Sequence, residues 1–230
     1  MSERSERTIN TVHSSARSAD RTLVLASASP ARRALLRAAG FAPLVLVSGD
    51  AEDGVADLPA PDMARTLAER KAVAVAGRLA PRVAGGPALV EGTKVDGTTV
   101  VIGCDTVLSF AGEVRGKPGS PEQAAAWWRS YRDATGTLVT GHAVVEVGSG
   151  DRAVGVAATT VRFGAPTDDE IAALVATGEP LAVAGGFTID GYCGPFVTGI
   201  DGDHGNVLGL SLPLLRTLLG DLGVAVADLW

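Results

Sequence analysis

Several short segments of the sequence combine hydroxyl groups, cations and carboxylates, the groups from which anion-binding and hydrolytic sites are built. The segment SASPARR, residues 27–33, lies between an apolar run and a pattern that predicts a helix. Backbone N–H groups at a helix N-terminus attract anions, so acidic residues normally occupy the first turn. Here Arg32 and Arg33 stand there instead, beside the hydroxyls of Ser27 and Ser29. The combination predicts a phosphate site, and a helix capped by Ser29 with two solvated arginines fits the spacing equally well.

One carboxylate follows a run of valine and isoleucine. Asp105 comes directly after TVVIGC, residues 99–104, which predicts a buried strand. A carboxylate at the end of such a strand is costly unless it is paired or bound to a metal. Asp105 could therefore hold Mg²⁺ or act as a general base toward water. An aspartate that caps a turn is the alternative.

Three other charged residues stand in segments where exposure to solvent is the ordinary explanation. Lys71 lies on a predicted helix, Lys117 follows a predicted hairpin, and Glu52 lies in an acidic loop. A lysine can nevertheless reach a phosphate as a point charge.

The glycines of AGGFTIDG, residues 184–191, would allow the backbone to approach a flat ligand closely.

Two nucleotide-binding motifs are excluded. The segment GEVRGKP, residues 112–118, has three residues rather than four between its glycines, and Pro118 stands where a P-loop has its hydroxyl residue. It also follows a hairpin instead of joining a strand to a helix. No GxGxxG follows a predicted strand, which excludes a dinucleotide-dependent oxidoreductase.

The elements that must position these residues are a mixture of strands and helices. Strands are predicted over residues 22–26, 43–48, 99–104, 107–110, 113–115, 138–147 and 152–163, with short glycine-rich strands over 182–200. Helices are predicted over 29–39, 62–76, 120–132, 167–178 and 213–219, and a turn over 202–206. Because strands and helices do not alternate strictly, the pattern favours an α/β fold with a mixed, strongly twisted sheet over a doubly wound parallel one.

Composition narrows the class of protein. The 230 residues carry a net charge of −6, which argues against a broad nucleic-acid surface. No apolar run approaches the ~18 residues of a membrane span, and the polar first twenty residues lack the apolar stretch of a secretory signal. We expect a disordered tail over residues 1–20, one domain over residues 21–230, and a cytoplasmic protein. The two cysteines, Cys104 and Cys193, form no metal-binding pattern.

Taken together, the segments resemble the Maf family, also called septum-formation-inhibitor-like proteins. The matching segments, in chain order, are LASASPAR (25–32), LAERKA (67–72), IGCDT (102–106), GE (112–113) with GKP (116–118), AGGFTIDG (184–191), and GD (202–203) with NVLGL (206–210). Each segment alone is weakly specific, but their order and spacing agree over residues 22–220.

The resemblance implies an elongated α/β fold with a central mixed sheet between two lobes and a nucleotide cleft. It implies hydrolysis of a nucleoside triphosphate to the monophosphate and pyrophosphate, with Mg²⁺ or Mn²⁺, and a role in clearing non-canonical nucleotides. Carried over by position, Asp105 is the catalytic carboxylate and a metal ligand, and Glu52 assists with the metal. The implied substrate-binding residues are Ser27, Ser29, Arg32, Lys71, Thr106, Lys117 and Asp190. A homodimer is expected by family analogy alone.

Two positions depart from the family members that prefer uridine and thymidine triphosphates. Ala31 stands where those members usually have Arg, and Asp190 stands where they usually have Gln, whereas Thr106 keeps their form. A carboxylate at position 190 can only accept hydrogen bonds where an amide can also donate. The sequence therefore leaves the preferred base open.

The older family name supports an alternative, a nucleotide-binding regulator of cell division with little turnover. The carboxylates Asp105 and Glu52 and the cations Arg32, Lys71 and Lys117 are all present. Because nothing catalytic has been lost, the sequence favours the enzyme.

Overall fold

The computed structural model describes residues 21–49, 54–83 and 95–230. The strands in this part of the chain are β1 Leu23–Leu25, β2 Leu44–Val45, β3 Val100–Phe110, β4 Glu113–Arg115, β5 Thr135–Glu146, β6 Arg152–Phe163 and β7 Val197–Asp201. The helices are α1 Pro30–Ala38, α2 Ala60–Val83, α3 Pro121–Tyr131, α4 Asp168–Ala176, α5 His204–Val207 and α6 Leu212–Asp221. None of these helices is long and apolar enough to cross a membrane.

All seven strands belong to one mixed sheet. Its order is β2-β1-β3-β5-β6-β7, and the short β4 pairs with β3. β1 is parallel to β2 and β3, whereas β3, β4, β5, β6 and β7 pair antiparallel. The mixed sheet with flanking helices that the sequence predicts is confirmed.

Strand β3 has a gap along one of its two edges. Along the other edge, β5 pairs with residues 100–109. Along the gapped edge, β1 pairs with residues 100–102 and β4 with residues 108–110, so neither strand pairs with residues 103–107. β1 runs with β3 and β4 runs against it, so the chain leaves both strands toward this gap. Asp105 lies at the middle of the gap.

Successive residues of β3 face opposite layers of the molecule, as the pleat of a strand requires. Val101 packs with Ala68 and Ala72 of α2. Ile102 packs on the other side of the sheet with Leu36 of α1 and Leu215 of α6. Odd-numbered residues near the gap therefore face α2, and even-numbered residues face α1 and α6.

Helix α2 lies directly on the sheet because two strands carry glycine where it crosses. A Cβ at Gly103 would overlap the carbonyl oxygen of Ala68, and a Cβ at Gly141 would overlap that of Ala64, one helical turn earlier. Only residues without a side chain permit this approach. Gly141 is the register partner of Asp105, so the close contact holds α2 over that carboxylate.

The predicted end of the second helix is wrong because tertiary packing overrides a local signal. Helix α2 does not end at residue 76 but continues through Gly77 and Pro81 to Val83. Leu79, beyond the predicted end, is fully buried in the core between α2 and the sheet, and burial of a leucine stabilises the helix by more than one glycine costs. Pro81 lies in the last turn, where it removes a single backbone hydrogen bond.

The two strands predicted over 99–104 and 107–110 form one strand, so Asp105 and Thr106 lie inside β3 rather than after it. The reason is that β5 pairs with β3 without a break, so the strand continues through Asp105 and Thr106. Strand β2 is shorter than predicted, with two residues only.

The glycine-rich segment predicted as strands over 182–200 is mostly irregular. It contains short 3₁₀ turns, Glu179–Ala182, Ala184–Gly186 and Gly194–Phe196, and only its last residues belong to β7. Gly185 and Gly186 have φ values of +68° and +66°, which a strand cannot accommodate. Part of the turn predicted over 202–206 is the short helix α5.

Candidate active site

The N-terminus of α1 is built as the sequence predicts. Ser29 is the N-cap, and its hydroxyl accepts a hydrogen bond from Arg32 N at 3.4 Å. Pro30 occupies the first turn, which contains no acidic residue. Ser27, in the short connection after β1, accepts from Ser29 N at 3.2 Å and thereby fixes the connection into the helix. The partial positive charge of the helix N-terminus is therefore left without a carboxylate in its first turn.

All three nitrogens of the Arg32 guanidinium donate hydrogen bonds. Nε donates to the carbonyl of Gly209 at 2.8 Å, Nη1 to the hydroxyl of Ser27 at 3.0 Å, and Nη2 to the hydroxyl of Thr106 at 2.9 Å. All three acceptors are neutral, so these contacts orient the positive charge without cancelling it. An oriented guanidinium is suited to binding phosphate oxygens.

Lys71 and Asp105 form an ion pair on the α2 side of the sheet. Their side chains are 18% and 14% exposed, respectively, so the pair is largely buried yet still in contact with solvent. A charged pair at this depth depends on both partners, because removal of one leaves the other charge uncompensated. Helix α2 can deliver Lys71 to this position because Gly103 and Gly141 let the helix lie close to the sheet.

The two groups of residues meet at the gap in β3. Asp105 faces α2 and the adjacent Thr106 faces Arg32 on the other side of the sheet. The edge between β1 and β4, with which no described strand pairs, is common to both faces. A ligand at this edge could contact the carboxylate, Lys71 and the Arg32 cluster together.

Other predicted site residues lie outside these contacts. Lys117 is exposed in the loop after β4, which leaves its strand toward the gap. Asp190 is exposed in the loop after the 3₁₀ turn Ala184–Gly186. The two loops are connected, since Gly185 N donates to the carbonyl of Gly116 at 2.8 Å. Glu52 lies outside the described residues.

A concavity of about 360 Å³ opens beside the N-terminus of α1. Ser29, Arg33 and Val45 contribute to its lining, and Asp105 does not. It therefore lies along α1 and does not enclose the carboxylate.

Within residues 21–49, 54–83 and 95–230, no group of three or more Asp, Glu, His or Cys side chains forms a metal-binding cluster. Mg²⁺, however, is commonly held by one or two carboxylates together with waters and substrate phosphates. Asp105 could therefore serve by itself as the protein ligand in such an arrangement. Neither cysteine suits a metal or a nucleophilic role, because burial raises the pKa of Cys104 to about 11 and that of Cys193 to about 12.

Sequence reasoning missed two buried residues of β5 beside the site. The Thr140 hydroxyl contacts that of Thr106 at 3.0 Å, and His142 accepts a hydrogen bond from Ser211 N at its Nε2. His142 Nδ1 then carries the proton and donates to the carbonyl of Thr140 at 3.1 Å. Burial lowers the pKa of His142 to about 4, so the ring is neutral at physiological pH. The sequence around Thr140 and His142 predicted a strand and gave no indication that either residue has a role in the site.

Comparison with known proteins identifies the family of the chain. The family model described as Maf-like protein matches residues 22–222. The chain belongs to this family. The Maf match spans all the predicted site residues, including Glu52, and confirms the resemblance that the sequence motifs indicate.

Several Maf relatives are about half identical to this chain over most of its length. A protein of Streptomyces coelicolor named nucleoside triphosphate pyrophosphatase is 54% identical over 210 residues, which cover 91% of this chain and 95% of the relative. A protein of Salinispora tropica with the same name is 52% identical over 208 residues, or 90% of this chain and 87% of the relative.

Proposed function

We propose that this Maf protein hydrolyses nucleoside triphosphates between the α- and β-phosphates and releases a nucleoside monophosphate and pyrophosphate. The observation that carries the proposal is the position of Asp105 at a sheet edge with which no described strand pairs. Asp105 is paired with Lys71 there and is next in sequence to Thr106, which binds Arg32. The name nucleoside triphosphate pyrophosphatase, borne by relatives with 54% and 52% identity, supports the same reaction.

Charge complementarity supports a triphosphate as the substrate. A triphosphate carries about four negative charges, and its hydrolysis is accelerated mainly by groups that position it and stabilise developing charge. Arg32 and Lys71 supply two cations at the gap, and Lys117 would supply a third from the loop after β4. The N-terminus of α1 adds backbone N–H groups beside Ser29.

Asp105 is the group that would act on water. In-line displacement requires a water molecule opposite the pyrophosphate leaving group, and a carboxylate can both orient that water and accept its proton. Lys71 is paired with this carboxylate. A bound triphosphate would attract the ammonium group toward its oxygens and free Asp105 to contact water.

A divalent cation fits the same carboxylate. Mg²⁺ or Mn²⁺ would be held by Asp105 and phosphate oxygens, and Glu52 is the second ligand that the sequence predicts. Bound there, the metal would neutralise charge on the phosphates. The chain's own residues would still orient the substrate and the water.

The decisive experiment compares Asp105→Asn with the wild-type protein on a panel of canonical and modified nucleoside triphosphates. Pyrophosphate and single phosphate are measured separately, with Mg²⁺, with Mn²⁺ and with a chelator. Asp151→Asn, an exposed aspartate in the turn between β5 and β6, is the matched control. Thermal unfolding of each variant shows whether the fold is retained.

We expect pyrophosphate release by the wild type and the control, and a loss of at least about 100-fold in Asp105→Asn, the usual scale for a general base. Release of single phosphates would contradict α–β cleavage. Tight nucleotide binding without release would contradict the hydrolase and favour the regulator of cell division. The cytoplasmic location, the homodimer and the preference for non-canonical nucleotides stay predictions.

A further inference from the structure

We propose that Thr140 is a positioning residue that acts through the Thr106 hydroxyl to fix which N–H groups of Arg32 face the substrate. The proposal rests on the proposed function, because it concerns how Arg32 meets a phosphate. Thr140 is fully buried on β5 and is the register partner of Thr106 on β3. Its side chain therefore has no direct access to a ligand.

The hydrogen bonds around Thr140 have only one consistent direction. Arg32 Nη2 can only donate, and its acceptor is Thr106 Oγ1 at 2.9 Å. At the other end, the carbonyl of Asn206 can only accept, so Thr140 gives its single hydroxyl hydrogen to it at 3.2 Å. The contact between Thr106 and Thr140 at 3.0 Å must then use the hydrogen of Thr106.

This direction determines what remains for the substrate. The hydroxyl hydrogen of Thr106 is committed to Thr140, so Thr106 acts on a phosphate through Arg32 rather than by donating to it. A guanidinium has five N–H groups. Arg32 uses one each at Nε, Nη1 and Nη2, which leaves one N–H on each Nη for a ligand.

The acceptor at the end of the chain of hydrogen bonds is itself fixed. The Asn206 side chain is fully buried, and its Nδ2 donates to the carbonyl of Leu138 and to the hydroxyl of Thr159. Three residues further on, Gly209 provides the carbonyl that binds Arg32 Nε. The segment from Asn206 to Gly209 therefore holds Arg32 directly at Nε and, through Thr140 and Thr106, at Nη2.

Thr140→Val removes the hydroxyl with little change in shape, and Thr140→Ser restores it. Thr137→Val is the matched control, because Thr137 lies on the same strand and faces the opposite side of the sheet. Without the Thr140 acceptor, the Thr106 hydroxyl is no longer held in one orientation, so its lone pairs are not fixed toward Arg32 and the Nη2 contact weakens. We expect kcat/KM for nucleoside triphosphate hydrolysis to fall about tenfold in Thr140→Val, to recover in Thr140→Ser and to be unchanged in Thr137→Val.

A double-mutant cycle with Arg32→Lys separates positioning from general structural damage. If Thr140 acts through Arg32, Thr140→Val has little further effect on kcat/KM in the Arg32→Lys background. The same tenfold loss in both backgrounds would overturn the proposal, as would wild-type kcat/KM in Thr140→Val. A second measurement does not depend on turnover: the exchange rate of the Arg32 Nη2–H with solvent, measured by NMR, rises in Thr140→Val because this N–H loses its fixed acceptor. Unchanged exchange would count against the proposal. Absence of turnover in the wild type would instead refute the proposed function.

Discussion

Replacing Gly103 with alanine tests whether the close contact of α2 with the sheet is what holds Lys71 against Asp105. The added Cβ would overlap the carbonyl oxygen of Ala68 and lie 2.7 Å from Ala72 N, where ordinary contacts begin at 3.4 Å. Both obstacles are helix backbone, which cannot rotate away as a side chain can. The helix would have to withdraw by on the order of 1 Å, an overpacking that costs about 2 kcal/mol of unfolding free energy.

The same withdrawal carries Lys71 away from the carboxylate. A displacement of about 1 Å among catalytic groups can cost about 100-fold in rate. Urea unfolding measures the stability of Gly103→Ala, and pyrophosphate release measures its turnover under conditions where the protein remains folded. Both quantities should fall, the rate by more than the population of folded protein explains.

Gly77→Ala is the control on the same helix. An added Cβ at Gly77 meets nothing within 4 Å, so alanine should raise the unfolding free energy by about 0.5–1 kcal/mol through its higher helix propensity. Gly103→Ala with the unfolding midpoint and turnover of the wild type would refute the reasoning, because α2 could not then lie against β3 as described.

Two further predictions follow from the buried histidine and the exposed lysine. The unfolded chain takes up a proton at His142 near pH 6.5, whereas burial lowers the pKa of the folded ring to about 4. Between these two pH values the unfolded state binds the extra proton. The unfolding free energy should therefore fall by about 3 kcal/mol as the pH drops from 6.5 to 4. Urea titrations at several pH values should show this fall in the wild type and in the control His204→Gln, which changes an exposed histidine. The fall should be much smaller in His142→Gln. An equal fall in all three proteins would contradict the role of His142. Lys117→Ala should lower kcat/KM about 10- to 100-fold while changing the unfolding free energy by less than about 0.5 kcal/mol, because an exposed side chain loses only its contact with the substrate. Arg216→Ala, exposed on α6, is its control, and unfolding of Lys117→Ala with unchanged activity per folded molecule would remove Lys117 from the site.

Local sequence signals predicted the elements that depend on local chemistry. The N-cap Ser29 with Pro30, the capping box at Thr167 and the turn between β5 and β6 all appear where the pattern placed them. Elements that depend on partners distant in sequence were predicted less well. β2 is short and α2 is long because their ends are determined by the strands and side chains that they meet, which no local window contains.

The candidate site shows the same division. The residue types that could bind phosphate were visible in the sequence, and the resemblance to the family motifs indicated which of them belong to one site. The acceptors that orient Arg32 were not visible as such, because Thr140 lies in an apolar strand and Gly209 contributes only a backbone carbonyl. Hydroxyls and carbonyls of this kind gain their roles from register, and register is fixed by pairing between strands that lie far apart in the chain.

The gap in β3 explains how a carboxylate inside a strand can act on a ligand. A residue in the middle of a fully paired strand is flanked by neighbouring strands on both edges, and its approach from the sheet edge is closed. β1 ends at the level of Ile102 and β4 ends at the level of Leu108, so no strand among the described residues pairs with β3 at Asp105 on this edge, while β5 pairs with β3 along the other edge. The loops that follow β1 and β4 carry Ser27 and Lys117 out of the sheet at this opening. Extending β4 by pairing across residues 103–107 would therefore close the site without altering any of its side chains.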